Sequence, residues 1–135
     1  METHVLLHGV LEKFNVVNST MAAETMGLVN GIKDAIYVQT IIHEVIKLLL
    51  PIHCFVDNKD LVDGVHSTKL VDDKLTRLSI ATIKEHLEKQ EVRYVSHIPG
   101  ARMLADSLTK RGASPYLLID VLRMGKIPDD CLGDA

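Results

Sequence analysis

Residues 52–58 read Ile-His-Cys-Phe-Val-Asp-Asn, a short apolar run that ends on a carboxylate and an amide. The apolar, partly β-branched side chains of residues 52–56 predict a strand that is covered on both faces. Pro51 ends the preceding helical pattern, and Asn58 is a favourable residue for starting the next helix. This stretch therefore predicts a buried strand between two helices, with Asp57 at its carboxyl end.

A long helix is predicted upstream of this strand, over residues 20–49. Its apolar residues recur at three- and four-residue steps and form one stripe, which indicates a face packed in the core. The stripe consists of Leu28, Ile32, Ala35, Val38, Ile42, Val45 and Leu49. The most apolar part, residues 35–50, contains polar and charged side chains and does not predict a membrane span.

Two helices are predicted downstream of the strand. Asn58 predicts the start of a short helix through Val62 that Gly64 breaks, and Asp72 and Asp73 predict the cap of a longer helix to about residue 90. The inward-facing residues of the longer helix are Leu75, Ile80, Ile83 and Leu87.

The last predicted elements are a strand over residues 92–98 and helices over 101–111 and 114–124. Strands that alternate with helices predict an α/β layered domain. A sheet of two strands is marginal, so we expect further strands to belong at the N-terminus. The predicted organisation is an irregular N-terminal segment, a folded domain and an acidic flexible tail, over residues 1–17, 18–125 and 126–135.

Composition predicts a single domain in a reducing compartment. The chain has 135 residues, of which 47% are hydrophobic and 24% charged, enough for one packed core. A net charge of −3 and the absence of Trp argue against binding nucleic acid by bulk electrostatics or by a base-stacking platform. Cys54 and Cys131 show no metal or disulfide pattern, so we expect an intracellular location, cytoplasmic or nuclear.

Three carboxylates lie in short motifs on separate predicted elements. Glu24 lies near the start of the first helix, Asp57 at the end of the first strand, and Asp106 on a late helix. Each also has a structural explanation, because the helix dipole favours Glu24, a turn accommodates Asp57, and an exposed helix face accommodates Asp106. Hard cations such as Mg²⁺ prefer oxygen ligands, so three acids that converge from separate elements predict a divalent-metal site.

Four motifs follow one another along the chain between about residues 16 and 122. They are Ser19-Thr20-Met21-Ala22-Ala23-Glu24, then Val56-Asp57-Asn58, then His66-Ser67-Thr68-Lys69 with the helix near Arg77, and Leu104-Ala105-Asp106-Ser107-Leu108-Thr109-Lys110. In this order and spacing they resemble the ribonuclease H domain of copia-type retrotransposon polyproteins. The resemblance implies a ribonuclease H-like three-layer α/β fold, with the N-terminal strands of the sheet largely missing.

The resemblance also implies a function for the three acids. Glu24, Asp57 and Asp106 would bind Mg²⁺ or Mn²⁺, and the substrate would be the RNA strand of an RNA–DNA hybrid, hydrolysed by two-metal chemistry. We expect an upstream reverse transcriptase segment as a partner, and we expect no association with a membrane. The expected nucleic-acid contacts are Asn58, Lys69, Arg77 and Lys110.

The chain departs from that family before Glu24. The family's first strand carries an Asp that bridges both metals, whereas the only acids before Glu24 here are Glu2 and Glu12. Because geometry sets the rate of such reactions, we expect a weakly bound metal and little or no cleavage.

Other functions remain open on the sequence. A working nuclease is one, if another chain or an upstream segment adds the missing strands to an open sheet edge. A nucleic-acid-binding or oligomerisation module that keeps the scaffold without the chemistry is a second, because exposed apolar surface favours a homo-oligomer. An integrase- or transposase-like relative with the same fold is a third.

Overall fold

The structure is a computed structural model. It describes residues 20–127, which form a mixed α/β fold. Its elements are, in chain order, α1 (Thr20–Ile46), β1 (His53–Val56), α2 (Lys59–His66), α3 (Lys74–Glu88), β2 (Tyr94–His97), a 3₁₀ turn (Gly100–Arg102), α4 (Asp106–Thr109) and α5 (Tyr116–Met124). This order confirms the predicted alternation of helices and strands. The predicted N-terminal segment and most of the acidic tail lie outside these residues.

Over the described range the sheet consists of β1 and β2, which pair in parallel. His53 lies opposite Tyr94, and Val56 lies opposite His97. Parallel strands require a crossover connection, which α2 and α3 provide. Because the strands run in the same direction, their carboxyl ends meet at one edge, where Asp57 follows β1.

Apolar clusters lie on both faces of this sheet. The larger cluster joins α1, α2 and α3 to one face and contains Ile32, Leu61, Val62, Val65, Ile80, Ile83, Val92 and Val95, with Cys54 and Val56 packed against it. A smaller cluster contains Ile98, Val121 and Ile127, with Phe55 packed against it. Successive strand residues point to opposite faces, so Phe55 faces away from the side to which Cys54 and Val56 contribute.

The apolar stripe of α1 is exposed at its C-terminal end. Ile32 is fully buried, whereas Val45 is 75% exposed and Leu49, beyond the end of the helix, is 67% exposed. The prediction that these two residues face the core was wrong, because periodicity shows which residues share a face but not how far a packing partner extends along it. Of the helices described, none is both long and apolar enough to cross a membrane.

Helix α2 runs through Gly64, which was predicted to break it. A Cβ atom at Gly64 would lie 3.4 Å from Cδ1 of Ile80, so α2 packs against α3 at this residue. In α3 the inward face includes Thr76 and excludes Leu75, which is 63% exposed. The prediction for Leu75 was wrong because the buried stripe of α3 passes through Thr76, Ile80 and Ile83.

The helix predicted over residues 101–111 is two short pieces. A 3₁₀ turn comes first, and Met103 then takes an extended backbone conformation with φ −72° and ψ 105°. That conformation interrupts the helical hydrogen bonds. A separate helix of four residues, α4, therefore begins at Asp106. Asp106 therefore lies in the first turn of α4.

Candidate functional site

Asp57 lies at the carboxyl end of the sheet, directly after β1. Its side chain is exposed. A Cβ atom at Gly100 would lie 3.9 Å from Oδ2 of Asp57, so the chain leaving β2 passes beside this carboxylate. In α/β folds this edge of a sheet is where ligands bind.

Glu24 reaches the same edge from α1. The Nδ2 group of Asn58 donates a hydrogen bond to Oε2 of Glu24. The other side-chain atom of Asn58, Oδ1, accepts a hydrogen bond from the backbone N–H of Leu61 at 3.1 Å and caps α2. One amide therefore attaches α1 to the loop after β1, and Glu24 and Asp57 lie on elements that meet at Asn58.

Asp106 comes from the segment after β2 and is paired with a lysine. The Nζ atom of Lys110 lies 2.9 Å from Oδ2 of Asp106, and the two side chains are 61% and 23% exposed, respectively. The pKa of the Lys110 ammonium is raised above its ordinary value, first by the hydrogen bond to Asp106, next by the charge of Asp106, and further by the charge of Asp57. Asp106 is therefore the predicted acid that Lys110 contacts directly.

The three acids therefore come from separate elements. Asn58 joins α1, which carries Glu24, to the loop that carries Asp57, and Asp106 pairs with Lys110 on the segment after β2. Within residues 20–127, however, no three His, Cys, Asp or Glu side chains are close enough together to hold a metal ion. The donor chemistry suits Mg²⁺. The conformation does not suit the ion, because Glu24 bonds to Asn58 and Asp106 bonds to Lys110. The metal therefore stays a prediction.

The predicted nucleic-acid contacts have different structural roles. The guanidinium of Arg77 donates to the backbone carbonyls of Val71, at 2.8 Å, and Asp72, at 3.2 Å, and so holds the loop before α3. Lys69 is exposed on that connection, where its backbone N–H bonds to Oγ of Ser67. Asn58 and Lys110 are engaged with the acids. Lys69 is therefore the predicted contact best placed to meet a phosphate without a rearrangement.

Two partners of the acids were not recognised as such from the sequence. Lys110 was predicted to contact nucleic acid, although its position four residues after Asp106 is the spacing of a helical ion pair. Asn58 was predicted to be a helix cap, which is confirmed, but its contact with Glu24 spans 34 residues and has no local signal.

His66 bonds through Nε2 to the carbonyl of Val95 at 2.9 Å and fixes the end of α2 against β2.

Comparisons with protein-family models, with curated proteins and with solved structures gave no match to this chain. What supports a function is therefore the arrangement of side chains at the carboxyl end of the sheet.

Proposed function

We propose that the chain is a ribonuclease H-like domain of copia-type retrotransposon origin, with the RNA strand of an RNA–DNA hybrid as its substrate. The observation that supports it is the arrangement of the acids. Asp57 follows β1, Glu24 bonds to the adjacent Asn58, and Asp106 lies beyond β2 in contact with Lys110. A phosphodiester-cleaving site of this class needs carboxylates from several elements at one edge of a sheet.

Mg²⁺ or Mn²⁺ is the proposed cofactor, with Glu24, Asp57 and Asp106 as its ligands. When bound, such ions activate water and stabilise the leaving oxygen of a phosphodiester. Binding to all three acids requires Asp106 to leave Lys110 and Glu24 to turn away from Asn58. Affinity is therefore low, because these protein contacts are lost as the ion is gained.

The proposed activity is weak or absent. The chain contains no Asp before Glu24, so the bridging ligand of the resembling family has no counterpart of the same type. A net charge of −3 gives no general attraction for nucleic acid, so hybrid binding rests on a few local contacts such as Lys69 and is weak and salt-sensitive.

The test is cleavage and binding of a labelled RNA–DNA hybrid in Mg²⁺ or Mn²⁺ by the full chain, beside Asp57→Asn. The matched control is Glu88→Gln, which removes an exposed charge at the end of α3, before β2 and away from its carboxyl end. Slow cleavage that Asp57→Asn abolishes and Glu88→Gln preserves supports a nuclease. Hybrid binding without cleavage supports a nucleic-acid-binding module. A folded chain that neither binds nor cuts the hybrid contradicts the proposal.

A second candidate function, an oligomerisation module formed by copies of this chain, is favoured by an exposed stripe on α1. Tyr37, Ile41 and Val45 lie four residues apart on one helix face and are 69%, 44% and 75% exposed. Sedimentation of the chain and of Val45→Lys tests it. Association that the lysine weakens supports a homo-oligomer, and a monomer at all concentrations counts against it.

A further inference from the structure

The exposed stripe of α1, formed by Tyr37, Ile41 and Val45, has a charged residue near each end. Lys33 lies four residues before Tyr37 and continues the same row toward the start of the helix. Glu44 lies seven residues after Tyr37, which is about two helical turns, so it shares this side of the helix. Both charged residues are exposed. The stripe is therefore apolar in its middle, with a positive charge toward one end and a negative charge toward the other.

The chain that follows α1 adds further apolar surface in a fixed conformation. Lys47 has a left-handed backbone conformation, with φ 58°, which is unfavourable for a residue with a side chain. The side-chain amide of Gln39 donates a hydrogen bond to the carbonyl oxygen of Leu50 and so holds this turn against the helix. Leu48 and Leu49 lie inside the turn and stay exposed. Contiguous exposed apolar surface of this kind is typical of a protein–protein interface.

The two charges on the stripe are placed to pair between two copies of α1. Lys33 and Glu44 are eleven residues apart (44 − 33), about three turns or roughly 16 Å along the axis, which is too far for a pair within one helix. A two-fold axis midway between them exchanges the two positions, so an antiparallel second helix sets Lys33 of each copy opposite Glu44 of the other. The same axis sets Tyr37 beside Ile41 of the partner. A parallel second helix would instead oppose like charges.

We propose that the exposed stripe is the interface of a two-fold symmetric dimer, in which two α1 helices pack antiparallel and Lys33 of each protomer pairs with Glu44 of its partner. The proposal rests on the second candidate function, the association of copies of this chain, and specifies its symmetry and contacts. The apolar side chains supply the attraction, and the two ion pairs set the register and direction. An interface of this type uses the same surface on both copies, so association ends at the dimer.

The test is reversal of the two charges, followed by sedimentation of the full chain over a range of concentrations. Lys33→Glu opposes two carboxylates, and Glu44→Lys opposes two ammonium groups. Each substitution acts at two symmetry-related positions of the dimer, so we expect each to raise the dimer Kd about tenfold. The double variant Lys33→Glu with Glu44→Lys restores opposite charges and returns the Kd to near the wild-type value.

Mixing the two single variants gives a second, independent readout. In a heterodimer of Lys33→Glu with Glu44→Lys, both contacts join opposite charges, so the mixture associates at least as tightly as wild type. The matched controls are Lys59→Glu and Glu88→Lys, which make the same changes in net charge at exposed positions on α2 and α3. They leave the dimer Kd unchanged. Circular dichroism checks that every variant keeps the wild-type fold.

Failure of this proposal is distinguishable from failure of the second candidate function. Association that neither charge reversal changes, or single variants that do not associate with each other, overturns the antiparallel contact and leaves self-association standing. A wild-type monomer at all concentrations contradicts both. If Val45→Lys also lowers the unfolding free energy of such a monomer, another part of the same chain covers the stripe, and the dimer is again excluded.

Discussion

Substitution of Asn58 separates two contacts made by one side chain. Its Oδ1 caps α2 through the N–H of Leu61, and its Nδ2 bonds to Glu24. Loss of the cap costs about 1 kcal/mol of unfolding free energy. Loss of a hydrogen bond to a carboxylate costs about 1.5 kcal/mol, the lower end of its range, because Glu24 is only partly buried. Asn58→Ala should therefore destabilise the chain by roughly 2.5 kcal/mol.

Two further substitutions at Asn58 remove only the contact with Glu24. Asn58→Ser keeps a capping oxygen and should cost about 1.5 kcal/mol. Asn58→Asp also keeps the cap but opposes two carboxylates, so one of them gains a raised pKa in the folded state. A raised folded-state pKa means that the folded form binds a proton more readily than the unfolded chain. The variant should therefore recover stability relative to wild type as the pH falls from 7 toward 4.5.

Urea unfolding followed by circular dichroism at both pH values measures these differences. Glu24→Gln in the Asn58→Asp background removes the repulsion and should restore stability at pH 7, and the double-mutant cycle isolates the coupling. Unchanged stability of Asn58→Ser, with no pH dependence for Asn58→Asp, would refute the contact between α1 and the loop after β1.

Two other predictions concern the neighbouring elements. Asp73 accepts hydrogen bonds from the hydroxyl and the backbone N–H of Thr76, which lower the pKa of its carboxyl below the ordinary value. Asp73→Ala should therefore lower the Tm at pH 7 by about 3–6 °C, and this loss should shrink as the pH falls through the pKa of Asp73. Asp72→Ala, at an exposed neighbouring residue, should leave the Tm unchanged. Thermal melts at several pH values measure both effects. Burial raises the pKa of the Cys54 thiol to about 11. In a Cys131→Ser chain, a thiol reagent at pH 8 should therefore label Cys54 only after unfolding. Rapid labelling of the folded chain would contradict the burial of Cys54.

The sequence predicted those features that depend on near neighbours. Asn58 and Asp73 cap helices because each side chain bonds to an N–H three residues later, a relation that residue type alone reveals. The strand over residues 53–56 followed from a short apolar run bounded by Pro51 and Asp57. The edge at which Asp57 lies then followed from the parallel pairing that alternating helices and strands require.

Features that depend on distant parts of the chain were not predictable in the same way. The contact between Glu24 and Asn58 depends on how α1 packs, which no local pattern encodes. Burial along α1 stops where its packing partners stop, so Val45 shares the stripe of Ile32 but not its environment. Thr76 is buried although it is polar, because its hydroxyl bonds to Asp73 and needs no water.

The parallel pairing of β1 with β2 also fixes when the sheet is able to form. His53 pairs with Tyr94, which is 41 positions later (94 − 53). At synthesis rates of about 5–20 residues per second, β1 waits roughly 2–8 s for its partner strand to be made. The apolar residues of β1 are left without that partner during this interval, so α1 and α2 are the available cover. During synthesis, α1 and α2 therefore shield the apolar residues of β1 from water before the sheet forms.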